Sequence, residues 1–276
     1  MFAFRIDIDS SYGLVHGVPK ILELLDELKL KASFYCVLGG ETGAVEALTS
    51  KTKSKDNYSL KGVKLPKTEM ARIALLPHNF ALKNKELLKK VKEKHEVGVH
   101  GWKHREWTKS LDSIDLSDRF TRMNSVYEKI FGVAPTSFSC PGFNWNKNVL
   151  KTLNEFGYTS SGDLNGNNAF TPVIDGVELK CVQVPVNCKA DNTMPLIEYY
   201  HYKGLSDNEV VEKTIDFILS KEEEFGYSVF YCHDLFEGVY KTNLLKKVLK
   251  GVLDSGIKRN TIEQIAKNSH EKRVIE

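Results

Sequence analysis

The sequence lacks a large excess of charge of either sign. Its 276 residues carry 39 Lys and Arg against 36 Asp and Glu, which leaves a formal net charge of +3. A protein that binds nucleic acid through its overall charge is far more basic, so we expect no nucleic-acid partner. With 41% hydrophobic residues, the chain can bury a large core, and we expect a single domain over residues 1–276.

Targeting and cross-linking features are also missing. No stretch approaches the roughly 20 uninterrupted apolar residues of a membrane-spanning helix. The opening residues show neither a basic leader nor a small-residue cleavage site, so we expect a cytoplasmic protein and leave attachment to a membrane surface open. The five cysteines form no C-x-x-C pair, which argues against a disulfide framework or a thiolate zinc site.

Hydrophobic periodicity predicts alternating strands and helices. Residues 2–9 alternate as a strand does, and residues 18–28 repeat at helical spacing. The exchange continues with predicted strands at 32–37, 96–100, 136–140 and 227–233, and predicted helices at 85–94, 113–131, 147–156, 206–221, 244–253 and 261–268. This order favours an α/β fold with a mostly parallel sheet, open or rolled into a barrel.

A basic insert interrupts this order at about residues 43–90. Between Lys51 and Lys67, six lysines stand against Asp56 alone, with few core-forming residues between them. We expect an exposed loop there. A solvated charged loop is one interpretation, and contact with an anionic lipid surface is the other.

Two histidines and two aspartates carry the strongest chemical signal. His100 and His104 follow a predicted strand and lie one helical turn apart, so both imidazoles can face one metal ion, although surface or core histidines give the same pattern. Asp7 and Asp9 project to one side at the end of the first strand. One of them can complete a metal site and the other can accept a proton from water, whereas a salt bridge with Arg5 is the alternative.

A third signal comes from the far end of the chain. His233 ends the predicted strand at 227–233, where a parallel sheet gathers catalytic groups, and it can donate a proton to a departing amine. A structural histidine is the alternative. In the loop Pro141-Gly142-Phe143, the glycine permits a backbone amide to approach an oxyanion, although a plain tight turn has the same pattern.

Together these motifs resemble the polysaccharide deacetylases of the NodB-homology type. Those proteins are metal-dependent hydrolases that remove N-acyl groups from sugars, and they are built on a distorted (β/α) barrel. The resemblance implies that Asp7 is the general base and His233 the general acid. It also implies that Asp9, His100 and His104 bind a divalent metal, usually zinc. The residues alone leave open which aspartate has which role.

One branch resembles the sequence in further places: the deformylases that act on 4-deoxy-4-formamido-L-arabinose attached to undecaprenyl phosphate. The similar motifs are Arg5-Ile6-Asp7-Ile8-Asp9, Gly17-Val18-Pro19-Lys20, His95-Glu96-Val97-Gly98-Val99-His100, Gln183-Val184-Pro185-Val186, and His233 followed by Glu237-Gly238. This resemblance implies an amino-sugar substrate on a polyprenyl phosphate, and peripheral contact with the cytoplasmic face of the inner membrane. The substrate-binding residues predicted on this basis are Pro141, Gly142, Phe143, Asp163 and Glu237.

The sequence departs from the family in its third motif. Ser139-Cys140-Pro141 lacks the Arg that usually tunes the base, which leaves open how the base is held. Two alternatives follow. One is an N-deacetylase of another sugar, of peptidoglycan or of a small amide. The other is a noncatalytic sugar- or lipid-binding protein on the same fold.

Overall fold

A single curled sheet organises the protein. The computed structural model describes residues 1–41, 65–76 and 78–276, and within them 11 strands join one sheet. The strands are β1 (Phe2–Ile8), β2 (Ser33–Cys36), β3 (Glu96–Val99), β4 (Ser137–Phe138), β5 (Ser160–Ser161), β6 (Phe170–Ile174), β7 (Val177–Glu178), β8 (Val182–Gln183), β9 (Ser228–His233), β10 (Arg259–Asn260) and β11 (Glu271–Val274).

The sheet is mostly parallel, as the alternation of elements predicts. Its order is β10-β1-β2-β3-β4-β5-β8-β6-β11, with β9 paired to β1 and β7 paired to β6. Only the β6–β7 and β6–β8 pairs among the described strands are antiparallel. The predicted α/β fold of the distorted-barrel type is confirmed, with the sheet curled into a half-barrel.

Strand β1 lies between β2 on one side and β9 and β10 on the other, and all its residues are buried. The sequence predicts four hydrophobic side chains on one face of this strand, and all four lie in the main core: Phe2, Phe4, Ile6 and Ile8. Ala3, on the other face, joins a second cluster that contains Tyr35 and Tyr231. The inner face of β1 therefore holds the polar residues Arg5 and Asp7 among aromatic rings.

Helices cover the sheet. They are α1 (Ser11–His16), α2 (Val18–Glu27), α3 (Lys67–Leu75), α4 (Phe80–Lys83), α5 (Lys85–Lys94), α6 (His104–Ser110), α7 (Leu116–Phe131), α8 (Lys147–Glu155), α9 (Leu196–Tyr202), α10 (Asp207–Phe225), α11 (Thr242–Asp254) and α12 (Ile262–Lys267). The predicted capping box before α10 is present, because the Ser206 side chain accepts from the backbone of Glu209. No helix in the described ranges is long and apolar enough to cross a membrane.

The predicted basic insert is only partly described. Residues 42–64 and 77 lie outside the described residues, and with them most of the lysine-rich loop predicted at 51–67. The later part of the predicted insert is helical. Leu88 and Val91 of α5 are fully buried in the main core, so this part belongs to the packed fold.

Candidate active site

The strands β1, β3 and β9 place five polar side chains at one edge of the sheet. β1 and β9 pair in parallel with Asp7 opposite His233. His100 follows β3, and its backbone N–H donates to the carbonyl of Cys36 at the end of β2. The carboxyl ends of parallel strands are where α/β folds collect their reactive groups, so residues from three distant parts of the chain meet here.

Asp9, His100 and His104 form a cluster that could hold a metal ion. One ligand atom from each residue lies within 4.8 Å of the others. Nε2 of His100 is 3.4 Å from Oδ1 of Asp9, and Nε2 of His104 is 3.6 Å from Oδ2. The turn between the two histidines is made by Gly101, whose φ of +70° suits a residue without a side chain.

The donor atoms of this cluster fit a divalent metal. Oδ1 of Asp9 is buried and has no hydrogen-bond partner, which costs free energy unless a cation satisfies it. Nδ1 of His100 is 3.0 Å from the carbonyl oxygen of Ser139. If Nδ1 carries the ring proton and donates it there, Nε2 keeps its lone pair for a metal. Burial outweighs the neighbouring carboxylates and lowers the pKa of His100, which favours the neutral imidazole.

Asp7 is held by a buried ion pair. Nε and Nη2 of Arg5 lie 2.8 Å from its two carboxylate oxygens. Burial opposes the charged form of Asp7, but Arg5 and His100 outweigh it and lower the pKa of the carboxyl, so it is ionised at neutral pH. Oδ2 of Asp7 is also 3.8 Å from Nε2 of His100. The salt bridge considered as an alternative is thus present for Asp7, beside the histidine cluster.

His233 faces the same cluster from β9. Its Nε2 is 3.9 Å from Oδ2 of Asp9, and its Nδ1 is 2.6 Å from Oε1 of Glu198 on α9. Burial alone lowers the pKa of His233, but the charge and hydrogen bond of Glu198 outweigh it and raise the pKa well above the usual value. The imidazolium form is therefore favoured at neutral pH, which suits a proton donor.

The predicted loop Pro141–Phe143 forms a 3-10 turn beside this cluster. Gly142 and Phe143 have positive φ angles of 64° and 54°. A Cβ atom on Gly142 would lie 2.9 Å from the side chain of Thr108, so the turn needs glycine for both its backbone angle and its packing. The Phe143 ring centroid lies 5.0 Å from the Arg5 guanidinium.

Asp163 and Glu237, two of the predicted substrate-binding residues, are buried beside the site. Asp163 is 2% exposed and accepts from the backbone N–H of Cys140 at 2.6 Å. Glu237 has no exposed surface and accepts from the backbone N–H of His233 at 3.0 Å. Both carboxylates thus hold the backbone of the site in place. Their contact with a substrate stays a prediction.

Two residues at the site were not predicted in these roles. The sequence indicates Arg5 only as an alternative partner for the aspartates, and it gives no signal for Glu198. Glu198 lies in a short helix outside every recognised motif, and no spacing rule connects it to His233. The signal for Arg5 was its position two residues before Asp7, which puts both side chains on one face of the strand.

Comparisons with known proteins agree with this fold. A curated relative from Wigglesworthia glossinidia brevipalpis is 23% identical over 257 residues, covering 89% of this chain and 85% of its own length; it is named a probable 4-deoxy-4-formamido-L-arabinose-phosphoundecaprenol deformylase. A crystal structure of a Mycobacterium smegmatis protein, assigned to the polysaccharide deacetylases, matches with a TM-score of 0.65 and 17% identity, covering 96% of this chain and 88% of that one.

A further structural match is a CE4 family pseudoenzyme from Bacillus anthracis, with a TM-score of 0.55, 16% identity and coverage of 99% of this chain and 66% of that one. The fold therefore occurs in a protein described as a pseudoenzyme. The family model for polysaccharide deacetylases matches residues 6–161. This match spans more than half of the chain, and the chain belongs to the polysaccharide deacetylase family.

Proposed function

We propose that the protein is a metal-dependent hydrolase that removes an N-acyl group from an amino sugar. The substrate that we favour is 4-deoxy-4-formamido-L-arabinose linked to a polyprenyl phosphate. One observation carries the proposal: Oδ2 of Asp9 lies 3.6 Å from Nε2 of His104 and 3.9 Å from Nε2 of His233. A possible metal ligand thus stands directly beside a possible proton donor. The name of the curated relative supports the choice of sugar and carrier.

Asp9, His100 and His104 would hold the metal. Two imidazoles and one carboxylate leave an open coordination position, and this donor set is typical of catalytic zinc, which is therefore the ion that we propose. When bound, such an ion polarises a carbonyl oxygen and lowers the pKa of water.

Asp7 and His233 would move the protons. Asp7 is ionised and fixed by Arg5, so it can accept a proton from the attacking water as a general base. In its imidazolium form, His233 would donate Nδ1–H to Glu198 and keep a second proton on Nε2, which it would give to the departing amine. A backbone N–H of the Pro141–Phe143 turn would stabilise the tetrahedral oxyanion. No side chain needs to form a covalent bond to the substrate.

For a formamido sugar, the products would be formate and a free amino sugar. Release of the amine adds a positive charge to the sugar, because a free amine is protonated at neutral pH, while His233 is left neutral after it gives up its proton. A lipid-linked sugar also requires contact with a membrane surface. We propose that the lysines of the segment from Lys51 to Lys67, of which residues 51–64 lie outside the described residues, provide this contact through anionic headgroups or the phosphate linkage.

Product analysis tests the reaction and its substrate. We would incubate the zinc-loaded protein with short-chain prenyl-phosphate formamido and acetamido sugars and identify the products by mass spectrometry. Formate release supports the deformylase, and acetate release alone would make the protein a deacetylase of another sugar. No release from the whole panel, including N-acetylated peptidoglycan fragments, would favour the noncatalytic binding protein.

Two variants test the assigned roles. Asp7→Asn and His233→Ala should each abolish turnover while metal content stays near one ion per chain, because neither residue is a proposed ligand. Asp191→Asn, at an exposed loop position, is the matched control and should keep wild-type turnover. Undiminished activity in the first two variants would remove Asp7 and His233 from their roles.

Liposome binding tests the membrane contact separately. Replacing Lys51, Lys53, Lys55, Lys61 and Lys64 with Gln should weaken association with anionic vesicles at low salt, since each lysine contributes about 1 kcal/mol near such a surface. Hydrolysis of a short soluble analogue should not change. Unchanged vesicle binding would reject this surface.

A further inference from the structure

We infer that Arg5 positions the proposed base Asp7 from within the same strand, and that Ser139 connects this ion pair to the proposed metal ligand His100. This inference rests on the proposed function. It assigns a positioning role to Arg5, two residues before the proposed base. It also explains how Asp7 can be held although the third motif has no Arg.

Arg5 and Asp7 form a buried, bidentate ion pair. Nε lies 2.8 Å from Oδ1 and Nη2 lies 2.8 Å from Oδ2, and the two residues are 1% and 2% exposed. Two parallel N–H donors bind both carboxylate oxygens at once, so they fix the plane of the carboxylate as well as its charge. A single ammonium group supplies a point charge without that geometry.

Aromatic rings hold the guanidinium in place. The ring centroids of Tyr35, Phe143 and Tyr231 lie 5.1, 5.0 and 5.7 Å from its central carbon, which is within the range of cation–π attraction. Nη1 donates to the carbonyl of Gly162 at 3.3 Å. Because these contacts come from β2, β9 and two loops, the guanidinium cannot turn away from Asp7 without disturbing several elements.

Ser139 joins the ion pair to the histidine. Nη2 of Arg5 also donates to Oγ of Ser139, and the same Oγ lies 3.0 Å from Nδ1 of His100. The small side chain of Ser139 belongs to the third motif, where the family usually carries Arg. Arg5 on β1 thus supplies the guanidinium that the third motif lacks, and this guanidinium contacts Ser139 in that motif.

A physical consequence separates this role from a merely stabilising ion pair. Both roles require a buried positive charge, since removing it would leave the buried carboxylate unpaired. Only the positioning role also requires the two coplanar N–H donors of the guanidinium. Arg5→Lys keeps the charge and removes the coplanar donors, and is therefore the informative change. The exchange Arg5→Ser with Ser139→Arg moves the guanidinium to the third motif.

We would measure turnover of the formamido substrate, zinc content and thermal unfolding for the wild type, Arg5→Lys, Arg5→Ser and the exchanged double variant. In Arg5→Lys, kcat should fall at least about 10-fold with KM and zinc content nearly unchanged. The double variant should exceed Arg5→Ser in kcat by a similar factor. Lys151→Arg, at an exposed ion pair with Asp175, is the control for an Arg/Lys exchange and should change nothing.

A binding measurement keeps the test independent of turnover. Acetohydroxamate loses its N–OH proton to a neighbouring base when it chelates zinc, so its affinity reports on Asp7 without any hydrolysis. Arg5→Lys should weaken its binding to the zinc-loaded protein at least about 5-fold, with Asp7→Asn as the reference for a lost base.

The outcomes separate the two proposals. A wild type that hydrolyses no substrate contradicts the proposed function, and the hydroxamate result then decides the role of Arg5. Wild-type kcat or wild-type hydroxamate affinity in Arg5→Lys overturns the positioning role. Loss of zinc together with activity in Arg5→Lys also overturns it, because Arg5 would then support the metal ligands and not the base. If the double variant fails to fold, Arg5→Lys decides alone.

Discussion

Nδ1 of His233 lies 2.6 Å from Oε1 of Glu198, although one residue ends strand β9 and the other belongs to the short helix α9. Glu198 is only 5% exposed, so its charge acts on the imidazole with little screening by water. The same contact fixes the ring so that Nε2 points toward Asp9. Glu198 therefore controls both the orientation and the charge of His233.

The first prediction concerns this contact. Glu198→Gln should lower kcat about 10- to 100-fold, because the amide keeps the shape but not the charge that favours the imidazolium. Since Glu198 raises the pKa of His233, its loss should move the high-pH fall of kcat to lower pH. The pH profile of kcat measures both effects. Glu223→Gln, on an exposed face of α10, should leave the profile unchanged, and an unshifted profile in Glu198→Gln would contradict the assignment.

The second prediction concerns the proposed metal ligands. His104→Ala should weaken zinc binding at least about 100-fold, since a three-residue site loses one of its ligands. Its side chain is 38% exposed, so the variant should still fold. Zinc titration with a competing chelator gives the affinity. His270→Ala, at an exposed position, is the control, and equal affinities in the two variants would remove His104 from the site.

The third prediction concerns stability and pH. His95 is 8% exposed, its Nδ1 accepts from the backbone N–H of Ala32 at 3.3 Å, and burial lowers its pKa to about 4. In the unfolded chain His95 is protonated as pH falls below about 6.5, whereas in the folded chain it stays neutral until about pH 4. The folded state therefore loses stability relative to the unfolded state as pH falls from 6.5 toward 4. Between pH 7.5 and 5, His95 should account for a loss of about 1–2 kcal/mol, allowing for partial solvent screening.

Urea unfolding of the metal-free protein at the two pH values measures this loss. His95→Asn keeps an acceptor for Ala32 but does not titrate, so the variant should lose less stability than the wild type on acidification. His270→Asn is the exposed control and should behave as the wild type. An equal loss in His95→Asn would show that other groups cause the acid sensitivity.

The fourth prediction concerns close packing behind the site. A Cβ atom on Gly17 would lie 2.0 Å from the backbone carbonyl oxygen of Asp234, and backbone cannot move aside cheaply. Gly17→Ala should destabilise the fold by about 2–4 kcal/mol. At Gly157, with φ +79° and nothing within 4 Å of an added Cβ, alanine should cost only about 1 kcal/mol of backbone strain. Thermal unfolding compares them, and equal costs would contradict the steric explanation.

Long periodic elements could be predicted from the sequence, and short ones could not. Helix α7 and strand β1 repeat their pattern over enough positions to be recognised. Strands β5, β7 and β8 have two residues each, too few for an alternation to be visible, and their pairing comes from tertiary contacts. The five-residue π-helical turn at Phe236–Tyr240 gives no periodic signal either.

The same contrast applies to the site. Asp9, His100 and His104 could be proposed together because strand ends and helical spacing relate them. Glu198, the partner of His233, could not be predicted, because it reaches the histidine only when α9 packs against the sheet. The backbone contacts of Asp163 and Glu237 could not be predicted either, because the sequence does not show that both carboxylates are buried.

The pairing of β1 with β9 has a consequence for biosynthesis. The side chain of Asp234 approaches the backbone N–H of Ser10, and these residues are 224 positions apart. At the usual pace of translation, the first strand waits roughly 10 to 45 s for its neighbour to leave the ribosome. During that interval its apolar edge is open to wrong partners. Newly made chains should therefore depend on chaperones, and products truncated before β9 should aggregate while still carrying all three proposed metal ligands.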